Sequence, residues 1–330
     1  MRSRFTFRHA ALLLAGAAPV SAQPYIARVL TQSTCCGAMH VDPAIAGAWG
    51  LTFDPSGSAW VAGNQSHLAT TLDGFGAPQG LTVQIVPQPS GAVTALVHNP
   101  GSEFVVPDPL GSFGPARFLF ATQDGTILGW VQRAAPPQNT LAPIVISTPG
   151  AVYTGLAIAQ TTSGVRLYAA NLFNARIDAF SGTLSPLTAN FLDPVLPAGF
   201  APFNIRVLGG RVLVAYGLRN TGGTNVLTGP ASGIIDAFSL DGNFLSRLVT
   251  GGALNAPWGI ALAPANFGPL SGALLVSNFG DGHINAFNPT TGAFLGALTD
   301  ATGSPITIPG IRGIEFGNNL GNQPANTLFF

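Results

Sequence analysis

Four residues at one recurrent position are the best placed in this sequence to bind something. Trp49, Asn204, Trp258 and Arg312 each stand at or beside the start of a similar short phrase. An aromatic face stacks on a sugar or peptide plane, and an amide and a guanidinium supply directed hydrogen bonds. The competing use of the same residues is packing, with Trp-Gly and Phe-Asn recurring for geometric reasons. A second set, Asn64, Asp124, Asn171, Asn220 and Asn278 with Asp281 just beyond, closes a later run of each phrase and offers the oxygen ligands that Ca²⁺ takes. Amides dominate that set and only 13 acidic residues serve the whole chain, so an ion held this way is weakly held. Asn and Asp are also what tight turns select.

Other patterns of catalysis find little support. The histidines are His9, His40, His67, His98 and His283, and none forms an HExxH or HxH pair of the kind zinc enzymes use. GxSxG is absent, so a Ser-His-Asp triad has no local signature. Asp124-Gly125, Asp241-Gly242 and Gly280-Asp281-Gly282 resemble phosphate loops only in composition; they join strand to strand with no helix following, and read as hairpin turns. Cys35 and Cys36 are adjacent, which permits a vicinal disulfide, an intermolecular pair or two incidental thiols, but neither a CxxC redox motif nor a zinc site.

The elements that must position these residues repeat. Six openings pair a lead residue with a small one and an apolar run: Trp49-Gly50-Leu51, Thr94-Ala95-Leu96, Thr154-Gly155-Leu156, Phe203-Asn204-Ile205, Trp258-Gly259-Ile260 and Arg312-Gly313-Ile314. Their spacing of roughly 45 to 60 residues is that of propeller blades. Second runs such as FLFATQDG (118–125) and LLVSNFGDG (274–282) are β-rich and end in turn residues. Third runs, ARIDAFSG (175–182), GIIDAFSLDG (233–242) and GHINAFNPTTG (282–292), set Ile and Phe around an Asp or Asn. Pro, Gly and Asp-Gly interrupt every window in which a helix would need its next apolar residue. Fourth runs include LTVQIVP (81–87), LTANFL (187–192) and FLSRLV (244–249).

Four antiparallel strands per unit, repeated radially, predict an all-β, six-bladed β-propeller in which neighbouring blades cover each other's faces. The sixth unit has only two runs before Phe330. We expect YIARVLTQ (25–32) to supply its outer strand and close the ring, and we expect a short or truncated last blade.

Charged residues are 8% of the chain, against about 25% in ordinary soluble proteins. Net charge is zero with no basic stripe, which argues against nucleic acid and against an anionic membrane surface as partners. Arg2, Arg4 and Arg8 precede the apolar AALLLAGAAPV (10–20), and Val20-Ser21-Ala22 offers a small-x-small cleavage site. Residues 1–22 thus read as a signal peptide and 23–330 as one propeller domain, exported to the periplasm or beyond, with no membrane span in the mature chain.

The phrase APWGIALAPANFGPLSGALLVSNFGDGHINAFNPTTGAFLGAL, with LPAGFAPFNIRVLGGRVLVAY (196–216) and AWGLTFDPSGSAWVAGN (48–64), closely resembles a family of uncharacterised exported bacterial proteins with NHL-like β-propeller repeats. The resemblance covers nearly the whole mature chain and implies the fold, but no reaction. The Cys35-Cys36 pair departs from the family pattern, and relatives tend to run on past the position of Phe330. The function expected is a non-catalytic binding or interaction module for a protein or glycan. The alternatives are a metal-dependent lactonase, esterase or lyase at the channel, and a structural repeat protein of the envelope or matrix.

Overall fold

Each repeated phrase folds as an antiparallel sheet whose first strand lies innermost. The computed structural model describes residues 25–34, 37–85, 92–134 and 138–330. The expected signal peptide and the Cys35-Cys36 pair lie outside the described residues. Blade 1 comprises Ala48–Phe53, Ala59–Gly63, Leu68–Leu72 and Pro78–Ile85, with Leu141–Ala142 added in parallel at its outer edge. Blade 2 is Val93–His98, Phe118–Thr122, Thr126–Trp130 and Ile144–Ser147; blade 3 is Tyr153–Thr161, Gly164–Asn171, Arg176–Ser181 and Pro186–Leu187. Blade 4 is Phe200–Leu208, Arg211–Arg219, Gly233–Phe238 and Phe244–Thr250; blade 5 is Pro257–Leu262, Leu274–Asn278, Ile284–Phe287 and Phe294–Ala297.

The β-propeller is therefore present, but with five blades rather than six. The sixth unit yields only the two-stranded sheet Glu315–Phe316 with Leu328–Phe329. Its opening, Arg312-Gly313-Ile314, carries no strand of its own, yet occupies the sector between blades 5 and 1. The expected closure by residues 25–32 is also corrected. Residues 25–30 form no strand, and Thr31–Gln32 pairs instead with His40–Val41. The segment bridges the sector without a strand: the Tyr25 amide donates to the Thr299 carbonyl at 2.9 Å, the Tyr25 ring stacks on Phe267 of blade 5 at 4.8 Å and its hydroxyl donates to the Phe267 carbonyl, while Thr31 donates to the Gly76 carbonyl of blade 1 at 2.6 Å.

Hydrogen bonds near the axis join neighbouring sectors at most of the boundaries, including the one between blades 5 and 1. Asn64 donates to the Val93 carbonyl (blade 1 to 2), Thr94 to that of Tyr153 (2 to 3), and Asn204 to that of Trp258 (4 to 5). Ser277 then donates to the Arg312 carbonyl at 2.6 Å, and the Gly313 amide to the Trp49 carbonyl at 3.1 Å. Between blades, apolar side chains fill the gaps, as with Trp60, Phe118 and Trp130 between blades 1 and 2 and Phe53 against Phe329 at the closing joint. The inner strands are buried on both faces, which is why their sequences are nearly continuous apolar runs. The Asp-Gly pairs are hairpin turns as expected: Gly125, Gly242 and Gly282 all have positive φ. Among the described residues no helix is long and apolar enough to cross a membrane.

Candidate functional site at the channel mouth

The lead residue of each opening is re-aimed by a β-bulge. Pairing between first and second strands slips at Trp49, Thr94, Thr154 and Phe203, and across Trp258-Gly259, so in all five blades the irregularity falls in the first half of the inner strand. A bulged residue leaves the alternation of the strand, and at Trp49, Phe203 and Trp258 the change brings the three rings together, while Thr94 and Thr154 donate to strand carbonyls. The small residue that follows is explained by the next blade. A Cβ at Gly50 would lie 2.7 Å from Leu96 Cδ2 and 3.0 Å from the Leu96 amide, and one at Gly259 would run into the Arg312 carbonyl. Lead-plus-small is thus the signature of inner strands in backbone contact.

At the rim where first strands begin, these residues converge into an aromatic cluster. Trp49 meets Phe203 edge-on at 6.3 Å and Trp258 at 6.5 Å, and Phe203 meets Phe279 at 6.4 Å. The Trp258 indole reaches across to donate to the Thr154 carbonyl at 2.9 Å. Trp49 and Trp258 are each 6% exposed, so the channel is plugged at this level. Arg312 lies over the plug, its guanidinium carbon 3.9 Å from the centre of the Trp49 ring and 4.2 Å from that of Phe279. Such cation–π contacts stabilise by ~0.5–2 kcal/mol each, depending on desolvation. Its Nη1 donates to the Gly310 carbonyl at 3.2 Å, and no carboxylate among the described residues pairs with it. Burial pulls its pKa down to about 10, which still leaves it charged at neutral pH. Arg312 Nε and Trp49 Nε1 are both buried without an acceptor among the described residues.

Trp49, Trp258 and Arg312 are therefore brought together, whereas Asn204 is not part of the mouth. It sits one residue past the bulge, and its amide is spent on the Trp258 carbonyl at 2.7 Å between blades 4 and 5. Phe203, the bulged residue itself, takes the channel position. Phe279 was missed; its signal was an aromatic directly after the second-strand Asn, in Asn278-Phe279-Gly280.

The oxygen-bearing set lies along the same rim but does not converge. Asn64 binds the Val93 carbonyl, Asp124 accepts from Thr122 and Thr126, Asn171 donates to Asp178 at 2.7 Å, and Asn220 caps its own turn at Thr224 and Asn225. Only Asn278 and Asp281 meet, at 3.2 Å, and Asn278 Oδ1 has no donor among the described residues. Among the described residues no three His, Cys, Asp or Glu gather as around a metal ion.

A second titratable cluster sits in blade 4, away from the mouth. Asp236, fully buried on the third strand, faces Arg247 on the fourth, whose Nε is 3.5 Å from Asp236 Oδ1 and whose Nη2 pairs with the buried carboxylate of Asp193. Neither Asp236 oxygen accepts a hydrogen bond from a described residue. Burial, then repulsion from Asp193, pushes its pKa up to about 7 against the opposing pull of Arg247.

The uncharacterised protein R648 of Acanthamoeba polyphaga mimivirus is 31% identical to this chain over 288 residues, covering 84% of this chain and 70% of that protein. No family model matches the chain. Among solved structures, the WD40 β-propeller domain of Doa1 aligns with a TM-score of 0.48 at 12% identity, over 84% of this chain and 76% of that one. A catalytically inactive virginiamycin B lyase from Staphylococcus aureus, crystallised with quinupristin, aligns with a TM-score of 0.45 at 13% identity, over 82% of this chain and 74% of that one. The exported bacterial kinship expected from the repeats gains no support from these matches, since the relative is viral.

Proposed function

The chain belongs to the same family as protein R648 of Acanthamoeba polyphaga mimivirus, a kinship that carries no reaction with it, and we therefore propose a function from the mouth itself. In this reading the protein is a non-catalytic binding propeller that holds a protein or glycan ligand at the channel mouth, on Arg312, Phe279 and the Trp49 edge. The observation that carries it is a guanidinium set against two aromatic rings with no carboxylate partner among the described residues, beside the ends of the inner strands of blades 1, 4 and 5. Screening the purified protein against glycan and peptide libraries should yield ligands that change tryptophan fluorescence. Arg312→Met should weaken them about tenfold or more, the effect of one lost charge-assisted hydrogen bond. Ligands held equally well by the variant would remove the mouth from the function.

The same proposal includes export, which the Arg-led apolar stretch before Ala22 supports. N-terminal sequencing of the secreted fraction should begin at Gln23; Met1 retained on a cytoplasmic protein would sink this part. A second reading, a Ca²⁺-dependent lactonase, esterase or lyase, has one observation in its favour: the unsatisfied Asn278 Oδ1 beside Asp281. Ca²⁺ titration with a lactone and ester screen tests it.

A further inference from the structure

Two donors at the mouth have no acceptor among the described residues. Arg312 is cationic, stacked and without an ion-pair partner, and its Nε is buried with no acceptor among the described residues. Trp49, itself 6% exposed, contributes a second N–H with none. The other indole of the cluster is satisfied, since Trp258 Nε1 donates to Thr154. Leaving buried donors unmatched costs about 1–3 kcal/mol each, so this arrangement favours any ligand that brings acceptors. We propose that the channel mouth is a site for a monocarboxylate carried on a ring-shaped body, the carboxylate pairing with the Arg312 guanidinium above the Trp49 ring, so that the Trp49 indole N–H reports its arrival; this rests on the binding reading above.

The chemistry narrows the class. A carboxylate has acceptors only, is planar, and matches the forked edge of a guanidinium. Burial lowers the Arg312 pKa, and no charged side chain among the described residues forms an ion pair with it. One positive charge balances a monoanion, whereas a phosphate dianion would bring a second charge without a partner. The Phe279 ring, half-buried with the guanidinium over it, adds apolar surface beside the charge for the body of the ligand. Aromatic acids and uronic acids share this chemistry.

The test uses ¹⁵N-labelled protein at constant ionic strength, titrated with sodium benzoate, benzamide, sodium glucuronate or glucose. The readouts are the Trp49 indole N–H and the Arg312 Nε–H resonances, with the Trp130 indole, bound to the Asn139 carbonyl in blade 2, as internal reference. The expected result is saturable movement of both mouth resonances by at least one acid, with its neutral counterpart about tenfold weaker or worse and Trp130 unmoved. Which acid binds distinguishes the aromatic from the sugar source. Arg312→Gln should erase the acid-over-neutral preference; if that variant does not fold, the wild-type probe pairs decide alone. Equal binding of acid and neutral partner overturns the carboxylate inference while leaving the mouth a binding site. Movement of neither mouth resonance with any probe also overturns it, and the library screen with Arg312→Met then judges the mouth separately.

Discussion

Replacing Asp236 by Asn should stabilise the protein in a pH-dependent way. Asp236 is buried opposite Arg247, which already pairs with Asp193, so two carboxylates share one cation. Its pKa is raised from 3.8 to about 7, chiefly by burial and then by Asp193. A carboxyl whose folded pKa lies above its unfolded one favours folding while protonated. That contribution is complete below pH 4 and is lost as pH rises through 7. Between pH 5 and pH 8 the linkage amounts to about 2–3 kcal/mol of lost stability from this one group. Blade 5 has already made the exchange: Asn285 holds the corresponding place in its third strand and donates to the Ala253 carbonyl at 2.9 Å. Asp236→Asn should match the wild type near pH 5 and exceed it by about 2–3 kcal/mol at pH 8. Urea denaturation of both proteins at half-unit steps from pH 5 to 8 measures this, and their difference cancels the other titrating groups. Parallel profiles would refute the reasoning, because they would mean that Asp236 carries the same charge throughout.

Gly259→Ala should cost ~2–4 kcal/mol in denaturant, because its Cβ would collide with the Arg312 carbonyl and disturb the Ser277 hydroxyl that binds it; Gly229→Ala, with open space around it, should be near neutral. Asn204→Ala should lower stability by ~1–2 kcal/mol by leaving the Trp258 carbonyl without its donor between blades 4 and 5, with little change in mouth ligand binding. Chelation by EDTA should leave the melting temperature unchanged, since most of the rim amides are spent on protein partners. A Ca²⁺-reversible drop that Asp281→Asn abolishes would instead place a cation at the Asn278 corner.

The repeat was legible because a blade's inner strands have no solvent face and must be written in apolar residues, whatever the blade's number. Where one strand stands relative to the next was not. The phrase Phe203-Asn204 marks an opening, but only the register slip between Pro202 and Asn204 decides that Phe203 faces the axis and Asn204 the neighbouring blade. The run 187–192 had the composition of a fourth strand, yet pairing stops at Leu187. Phe191 instead packs on Tyr168 at 4.7 Å and Phe238 at 5.2 Å, carrying the chain across to blade 4 and delivering Asp193 to Arg247. Arg312-Gly313-Ile314 was counted as a sixth first strand because it has the same lead-plus-Gly form. That form encodes close approach to a neighbour, which Gly313 makes against Trp49, and carries no information about how many strands follow.

Charge is scarce enough here that its placement is informative. Arg117 grips Asp54 across blades 1 and 2, with Nε to Oδ2 at 2.8 Å; Arg206 of blade 4 meets Glu315 of the two-stranded sheet at 2.9 Å; Arg247 meets Asp193 on the crossover from blade 3. Three ion pairs thus join one sector to another, where hydrophobic contact alone fixes no register. Arg312 also sits at a sector joint, and its carbonyl and the next amide link blade 5 to blade 1. That backbone role would be served by any residue able to take the same conformation. The guanidinium is not needed for that backbone role: it is partly desolvated, stacked on two rings and unmatched by any carboxylate among the described residues. A buried cation held by two aromatic rings and one carbonyl, but by no carboxylate among the described residues, is the strongest reason to look for function at the mouth.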